Sequence, residues 1–310
     1  MKTPVLLIAF NRFDILRTVF DRVRQAKPPI LFIAVDGPRD GNESDRISTE
    51  QVKGISKMVD WDCIVYTRYL ERNLGCGYAP STAISWAFEH CDRLIVLEDD
   101  CFPCYSFFTF CDEMLELYAA DNRIGMISGW SPLQDSDFFH GYDYLFSLLG
   151  NSLGWATWKN RWLQFDMEMS DFNRFYAEGK SYDIIGSKIL GWHYNYHFKK
   201  RFLNIEEEKK HSWDTQWFYA RYKNSYLSII PVYNQIKYIG FDSGTHVPAS
   251  ASYLMIPSHE LPGEIKHPCF VSPNRRYTSS LFWKIQKRRY GIKNILAHLQ
   301  TFFKRKCNGL

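Results

Sequence analysis

The chain has 310 residues, of which 45% are hydrophobic and 17% aromatic, so it is long and apolar enough to bury a sizeable core. The formal net charge of +4 is unevenly distributed, because residues 265–310 contain eleven Lys or Arg and no Asp or Glu, which leaves −7 on residues 1–264. This acidic body excludes a basic nucleic-acid-binding fold, and the basic segment suggests contact with an anionic surface.

No secretory signal is visible, since the apolar run at Val5–Phe10 is too short for a signal core and lacks a small-residue cleavage site. No apolar run approaches the roughly 18–20 residues that a membrane-spanning helix needs. We therefore expect a cytoplasmic protein whose eight cysteines are reduced thiols.

Short apolar runs predict five buried strands in the first 130 residues. They lie at residues 5–10, 30–35, 63–66, 94–97 and 124–128. Runs of this length that end at polar or glycine-containing turns are typical of strands covered on both faces, as in a parallel sheet.

Apolar residues at helical spacing separate these strands. Helices are predicted after Asp14, after the glycine-rich turn at 73–77, and from about Phe107 to Tyr118. Residues 39–50 are predicted as a loop that precedes a weaker helix to about Met58. The alternation of strand and helix indicates an α/β protein with a parallel sheet and crossover helices.

The character of the chain changes after Gly129, where aromatic and polar residues interleave and clear periodicity is rare. One further strand is predicted at Leu227–Ile230, directly before Pro231. We predict that this part forms a mixed sheet with long loops, built onto the parallel half.

Three consecutive acids, Glu98, Asp99 and Asp100, directly follow the apolar strand at 94–97. Open α/β sheets bind their ligands at the carboxyl ends of the strands. Adjacent carboxylates repel one another, and a divalent metal with a bound diphosphate would compensate them. The alternative is a solvated acidic turn without a ligand.

Polar side chains also follow the other predicted strands. Arg12 follows the first strand, Asp36 the second, and Asn73 precedes the glycine-rich turn. An Arg at such an edge can hold a phosphate or a carboxylate, and an Asp can accept a base N–H or a ribose hydroxyl. Taken singly, each of these residues is equally typical of a strand-end cap or of the surface.

Several segments in order along the chain resemble a known enzyme family. They are VLLIAFNR at 5–12, IAVDG at 33–37, IVLEDD at 95–100, MISGWS at 126–131, SLGW at 152–155 and SWDTQW at 212–217. With these segments the chain resembles GT-A-fold glycosyltransferases, most closely the N-acetylglucosaminyltransferase I-like group. The Asn-Leu-Gly turn at Asn73 departs from that group and is more similar to bacterial family-2-type sugar transferases.

The resemblance implies a GT-A (Rossmann-like) fold, with a mostly parallel sheet flanked by helices. A nucleotide-sugar-binding half would occupy residues 1–130, an acceptor-binding half 131–264, and a basic tail 265–310. The implied activity is metal-dependent, inverting transfer of a hexose or N-acetylhexosamine from a UDP-sugar to a glycan or lipid-linked acceptor. Such an enzyme would serve polysaccharide or lipopolysaccharide assembly.

The same resemblance implies roles for the residues of the donor side. Asp100 would bind Mn²⁺ or Mg²⁺, while Glu98 and Asp99 would contact the sugar and ribose of the donor. Asp36 would accept the uracil ring N–H, and Arg12 would be a cation of the nucleotide site. Asn73 would belong to this cofactor-binding set, although its turn departs from the closest group.

Asp214 matches the position of the catalytic base in the resembled group. Its neighbours Trp213 and Trp217 could raise its basicity by partial desolvation. The alternative is that Asp214 caps a helix over residues 215–222, and both roles can coexist.

The resemblance and the composition single out three further residues. His246 follows the last strand of the second half and is a candidate second metal ligand, with ordinary polar surface as the alternative. Trp130 and Trp155 are candidate acceptor-binding residues, because aromatic faces cover the apolar faces of sugar rings. Most of the other tryptophans are expected in the core.

Other readings of the sequence remain open. Cys101, Cys104 and Cys111 could indicate zinc or redox chemistry, but a closed zinc site needs a fourth ligand. A nucleotidyltransferase would share the fold class, although the first strand lacks its glycine-rich signature. A carbohydrate-binding or scaffolding protein without catalysis is the non-enzymatic alternative.

The basic tail has an amphipathic pattern. Its apolar residues at helical spacing are Ile285, Ile292, Ile295, Leu296, Leu299, Phe302 and Phe303. Basic residues with no acidic residues predict a helix that lies on an anionic membrane surface, which would place the enzyme on the inner face of the membrane. The alternative is a helix that packs on the body or pairs two chains.

Overall fold

The computed structural model describes residues 1–241 and 255–285. Its central sheet has eight strands: β1 Val5–Ala9, β2 Ile30–Val35, β3 Ile64–Tyr69, β4 Arg93–Glu98, β6 Ile124–Ser128, β7 Tyr144–Ser147, β8 Trp155–Trp158 and β9 Leu227–Pro231. Their order across the sheet is β3-β2-β1-β4-β8-β6-β9-β7. Two further strands, β5 Cys101–Pro103 and β10 Ile236–Tyr238, form a separate antiparallel pair.

The predicted parallel half is confirmed. β1 pairs in parallel with β2 on one side and with β4 on the other, and β2 pairs in parallel with β3. All five residues of β1 are buried, because helices cover both faces of this part of the sheet. The predicted fold class, an α/β protein with a mostly parallel central sheet flanked by helices, is therefore confirmed.

Ten helices are described in full within these ranges. They are α1 Phe13–Ala26, α2 Glu43–Lys53, α3 Gly75–Ala87, α4 Tyr105–Leu117, α5 Lys159–Trp162, α6 Phe172–Ala177, α7 Lys180–Ile185, α8 Lys188–Phe202, α9 Ile205–His211 and α10 Asp214–Lys223. Residues 275–285 are helical as well.

Helix α2 begins earlier than predicted, so the assignment of residues 39–50 to a loop is wrong. The side-chain oxygen of Asn42 accepts a hydrogen bond from the backbone N–H of Asp45 at 3.0 Å. An Asn in this position caps a helix by satisfying one of its free N–H groups. The polar character of this helix hid its start, because only one face of it is buried.

The second half forms the predicted mixed sheet, but the expectation of long loops is wrong, since it also contains helices α5 to α10. Strand β8 lies antiparallel between β4 and β6, so both halves of the chain contribute to one sheet. Helix α10 is buried on several sides, and only three of its ten residues are not buried. This helix corresponds to the one over residues 215–222 that was the alternative for Asp214. A helix buried all round shows no apolar stripe in its sequence, so periodicity alone does not indicate it.

The first part of the basic segment packs against the body. Tyr277, Leu281 and Phe282 are buried, and the backbone N–H of Asn274 donates to the carbonyl of Phe146 at 2.7 Å. The predicted alternative of packing on the body therefore holds for this part, while residues 286–310 lie outside the described residues.

No helix within residues 1–241 and 255–285 combines the length and apolar character needed to cross a bilayer. The seven cysteines in these ranges are free thiols, which agrees with the prediction for them.

Candidate functional site

The carboxyl ends of the parallel strands bring the predicted polar residues to one edge of the sheet. The register of β1 with β4 sets Ile8 opposite Glu98, and the register of β1 with β2 sets Ala9 opposite Val35. The residues that follow these strands are therefore neighbours in space, although they are far apart in sequence.

Arg12 lies at the centre of this edge and contacts two of the three consecutive acids. Its Nε donates to Asp99 Oδ2 at 3.1 Å, and its Nη2 donates to Asp100 Oδ2 at 2.8 Å and also to Asp99 Oδ1. Asp99 and Asp100 are buried, with 4% and 8% of their surface exposed. The alternative of a solvated acidic turn is therefore wrong.

The acidic cluster, defined as Glu98, Asp99 and Asp100, carries more negative charge than Arg12 compensates. Burial and the neighbouring carboxylates of Asp100, Asp99 and Asp214 raise the pKa of Glu98 to about 8. Burial also raises the pKa of Asp99 to about 6, although Arg12 acts in the opposite direction. Glu98 is therefore mainly protonated at neutral pH, and the carboxylates of Asp99 and Asp100 beside one guanidinium still make a site that attracts further positive charge.

Asp36 is tied to the glycine-rich turn. Its Oδ1 accepts the backbone N–H groups of Gly37 and Leu74 at 2.8 Å, and its Oδ2 accepts the Gly75 N–H at 3.0 Å and the Asn73 amide at 2.9 Å. Burial raises the pKa of Asp36, against the effect of these backbone bonds.

A carboxylate has about four acceptor positions, and the protein uses all four at Asp36. The implied role of Asp36 as acceptor for a uracil N–H therefore does not agree with this structure. Asn73 belongs to the same hydrogen-bond network, because its amide nitrogen also donates to the Gly37 carbonyl at 2.9 Å. Together, Asp36 and Asn73 hold the ends of β2 and β3 in place beside the acidic cluster.

The glycine-rich turn contacts the segment that leads to Asp214, which sequence analysis did not reveal. A Cβ atom at Gly77 would overlap the backbone carbonyl oxygen of Lys209, and one at Gly75 would approach the carbonyl oxygen of Lys210. Helices α3 and α9 therefore meet backbone to backbone. This contact joins the donor-side turn to the chain just before Asp214.

Asp214 is the first residue of α10 and is exposed. Its Oδ1 accepts the backbone N–H of Thr215 at 2.9 Å and a hydrogen bond from the Ser212 hydroxyl. The cap residue of this helix is Trp213, whose side chain makes no capping bond. Asp214 thus lies at the helix start, where the helix dipole favours a negative charge, and its influence on the pKa of Glu98 shows that it is near the acidic cluster.

Two open cavities are lined by residues of this constellation, one by Arg12 and the other by Asp214. The first, the Arg12 cleft, has a volume of about 700 Å³ and is lined by Arg12, Asn11, Ser48 and Gln51 among others. The second, the Asp214 cavity, has a volume of about 550 Å³ and lies between α8, α10 and the loop 149–152. Sequence analysis had not identified Ser48 or Gln51, which lie on a helix with little apolar signal.

The two predicted acceptor-binding tryptophans have different environments in the structure. Trp130 lines the Asp214 cavity, although only 4% of its surface is exposed. Trp155 is fully buried on β8, with its ring centroid 5.7 Å from that of Trp213 and 5.6 Å from that of Trp217. The prediction that Trp155 binds the acceptor is wrong. Trp155 lies on a strand in the middle of the sheet, and Trp213 and Trp217 at the start of α10 already cover its ring.

The pair formed by β5 and β10 covers the acidic cluster and was not predicted. It sets Tyr238 opposite Cys101, and the backbone N–H of Ile239 donates to the Asp100 carbonyl at 2.9 Å. Gly240 lies so close that a Cβ there would be 2.8 Å from Asp100 Oδ2. His246, the predicted second metal ligand, lies outside the described residues.

The chemistry of the acidic cluster fits a divalent cation of the hard, oxygen-binding type. In residues 1–241 and 255–285 no group of three His, Cys, Asp or Glu side chains is arranged to hold a metal ion by itself. Cys101, Cys104 and Cys111 therefore form no such group with one another or with other residues in these ranges. Mg²⁺ and similar ions are often held by one or two carboxylates together with substrate phosphates and water. Asp100, with its buried carboxylate at the strand end, suits that mode of binding.

No family model and no curated protein sequence matches the chain. Solved structures similar to it include a mannosyltransferase from Pyrobaculum calidifontis in complex with GDP-Man and Mn²⁺, with 12% identity over 51% of this chain and 44% of that chain, at a TM-score of 0.35. Another is TarS from S. aureus, with 12% identity over 51% of this chain and 47% of that chain, at a TM-score of 0.37.

The galactosyltransferase LgtC, in complex with donor and acceptor sugar analogs, is similar over 90% of this chain and 94% of its own length, with 10% identity and a TM-score of 0.37. By contrast, the chain spans less than half the length of the mannosyltransferase and of TarS. These similarities concern the α/β fold and do not extend to individual ligands or residues.

The charge compensation by Arg12 generates a prediction about stability. In Arg12→Ala, the buried Asp99 and Asp100 lose their cation, and we expect the free energy of unfolding to fall by about 3 kcal/mol. Arg24→Ala is the control, because Arg24 pairs with Asp60 at the surface and should matter little. Chemical denaturation of both variants at neutral pH measures the difference, and equal stabilities would contradict the proposed compensation.

The contact between α3 and α9 generates a second prediction. Gly77→Ala should lower the free energy of unfolding by about 2 kcal/mol, because the added methyl group cannot be accommodated without moving the Lys209 backbone. Gly54→Ala is a matched control, since Gly54 has φ −59° and open space around it. Thermal unfolding of both variants should show a loss only for Gly77→Ala. An unchanged Gly77→Ala variant would mean that α9 is not held by this contact.

Proposed function

We propose that the chain is a glycosyltransferase that moves a hexose or N-acetylhexosamine from a UDP-sugar to a glycan or lipid-linked acceptor, with inversion and with a divalent metal. One observation carries this proposal. The acidic cluster interacts with Arg12, beside the first cavity, and with Asp214, which lines the second. A reaction between two substrates needs a binding space for each of them near the reacting groups.

The Arg12 cleft is the proposed donor side. Arg12 would hold a phosphate of the donor, since a guanidinium can bind phosphate oxygens in a bidentate manner. Glu98 and Asp99 would contact the hydroxyl groups of the donor sugar and ribose. Asp36 and Asn73 would act by holding the turn at 73–75 in place, because their polar groups are already bonded within the protein.

Asp100 would hold Mn²⁺ or Mg²⁺, with His246 as a candidate second ligand. When bound, such an ion supplies Lewis-acid stabilisation of the negative charge that develops on the leaving diphosphate. Asp100 suits this role because its carboxylate accepts a hydrogen bond from Arg12, the residue proposed to hold the donor phosphates. The neighbouring acids raise the affinity of the site for positive charge.

Asp214 would act as the general base on the acceptor side. The hydroxyl oxygen of the acceptor forms a bond to the anomeric carbon while the bond from that carbon to the diphosphate breaks. The electron pair of the broken bond stays with the diphosphate, and the proton of the hydroxyl moves to the Asp214 carboxylate. A single displacement with attack opposite the leaving group inverts the anomeric configuration. Trp130 is positioned to contribute to the wall of the acceptor site.

The assigned roles predict that donor binding and transfer can be separated. UDP with Mn²⁺ at saturating concentration should raise the melting temperature of both wild type and Asp214→Asn by roughly 5 °C. Transfer from a UDP-sugar, or its hydrolysis to UDP, should fall by about 10²–10⁴-fold in Asp214→Asn. Asp183→Asn, at an exposed position of α7 that does not line the cavity, should keep full activity.

The outcomes of this experiment distinguish the possibilities. Equal turnover of Asp214→Asn and wild type would remove Asp214 from the mechanism. A failure of UDP with Mn²⁺ to stabilise the wild type would overturn the UDP-sugar donor, and a response to GDP instead would change the nucleotide. The anomeric configuration of the product, measured by NMR, tests inversion.

We also propose that the basic segment after residue 285 attaches the enzyme to an anionic membrane surface on the cytoplasmic side. This segment has seven Lys or Arg and no Asp or Glu. Each basic residue near such a surface contributes roughly 1 kcal/mol of attraction, so several together suffice for peripheral binding. A lipid-linked acceptor of polysaccharide or lipopolysaccharide assembly would be presented at this surface.

Truncation after residue 285 tests the membrane proposal, because it keeps Leu281 and Phe282, which pack on the body. The full chain should sediment with vesicles that contain anionic lipid at low salt and not with neutral vesicles. The truncated chain should remain in the supernatant with an unchanged melting temperature. Retention of vesicle binding after truncation would refute the proposal.

A further inference from the structure

Arg221 is buried without a carboxylate partner. Only 2% of its surface is exposed, and within the described part of the chain it forms no salt bridge. Its Nη1 donates to the Ser228 hydroxyl at 2.7 Å, its Nη2 donates to the Gly150 carbonyl at 3.1 Å, and its Nε has no hydrogen-bond partner there. A guanidinium has five N–H donors, and buried arginines are almost always paired.

Two other arginines, the half-buried Arg12 and the buried Arg161, show other ways in which this protein satisfies a guanidinium. Arg12 is compensated by Asp99 and Asp100. Arg161 donates to three backbone carbonyls, those of Ile124, Ala119 and Asp121. Arg221 has neither of these arrangements. Its guanidinium carbon lies 5.8 Å from the ring centroid of Trp217 and 5.6 Å from that of Phe218, and no carboxylate in the described part of the chain pairs with it.

Arg221 lines the Asp214 cavity and lies on the same helix face as Asp214. The two residues are seven positions apart on α10, which corresponds to two turns and roughly 10 Å along the axis. Among the described residues, the cavity wall holds one other acid, Glu208, and this carboxylate is bound to Arg201 at 2.6 Å. His193 and His197, on α8, line the same space. Arg221 therefore brings a positive charge to the end of the cavity away from Asp214.

We propose that the Asp214 cavity binds an acidic acceptor sugar, whose oxyanion is recognised at the Arg221 end while its reactive hydroxyl lies at Asp214. This inference rests on the proposed function, because it assigns the Asp214 cavity to the acceptor. The oxyanion is a carboxylate, as in a uronic acid, or a phosphate ester, since a guanidinium recognises both. The separation along α10 fits an anionic group on the reacting sugar or on the unit next to it.

The energetics favour an anion at this place. Burial lowers the pKa of Arg221 to about 9, so the side chain still carries its charge at neutral pH although it lacks a partner. A buried, uncompensated cation is unfavourable, and an anion that enters the cavity offsets that cost. A neutral sugar would offer only hydrogen bonds to the same wall.

Binding of small probes to the full-length protein tests the inference. Methyl glucuronide, glucose 6-phosphate and methyl glucoside are titrated in parallel by isothermal calorimetry, in the presence of UDP and Mn²⁺. We expect at least one of the two anionic probes to bind at least tenfold more tightly than methyl glucoside. The comparison between the two anions distinguishes a carboxylate from a phosphate ester.

Two variants assign the effect to the proposed residue. Arg221→Met should reduce the affinity for the anionic probe at least tenfold, and Arg221→Lys should retain part of it, with circular dichroism as the check of folding. Equal binding of methyl glucoside and both anions in the wild type would overturn the inference, whether or not the variants fold. Unchanged binding of the anion by a folded Arg221→Met would overturn it as well.

The result is independent of the donor test. If UDP and Mn²⁺ stabilise the protein but the wild type does not distinguish the anionic probes, the acidic acceptor fails while the proposed function stands. If an anionic probe binds through Arg221 but UDP produces no stabilisation, the anion site stands and the sugar-transfer proposal fails.

Discussion

A single guanidinium holds together the edge of the sheet on which this protein depends. Arg12 contacts Asp99 and Asp100, two acids that are buried at the end of a central strand. Buried carboxylates without a cation would be strongly unfavourable, and the register of β1 beside β4 is what brings the cation to them. Because the compensation is incomplete, the same edge remains attractive to a further positive charge. The stability of the fold and the attraction of this edge for a further cation thus have one physical origin.

The second constraint is the way in which the two halves of the chain are joined. Strand β8 from the second half lies between β4 and β6, so neither half has a sheet of its own. Gly77 allows the backbone of α3 to meet the backbone of α9 at Lys209, five residues before the start of α10. Backbone contacts of this kind leave little freedom to either side. They set the position of Asp214 relative to the acidic cluster through packing, with no hydrogen bond between the two groups.

The Arg12 cleft and the Asp214 cavity differ in their electrostatics. The Arg12 cleft lies next to a guanidinium that is already paired with acids, whereas the Asp214 cavity has the uncompensated Arg221 at its far end. Asp214 is the exposed first residue of α10, at the other end of that cavity. With a candidate base at one end and a buried cation at the other, the two ends of the Asp214 cavity differ in charge. This polarity is the reason to assign it to an acceptor that carries a negative charge.

The sequence by itself determined the parallel half, the position of the acids at its edge and the presence of a base candidate near the start of α10. These features depend on local patterns: short apolar runs, helical spacing and the residue that follows each strand. Only the tertiary structure decided how the polar groups are used. It showed that the protein itself occupies the acceptor positions of Asp36, that neighbouring rings cover Trp155, and that no acid in the described part of the chain pairs with Arg221. Hydrogen-bond saturation and burial are set by residues far apart in the chain, so no local pattern could reveal them.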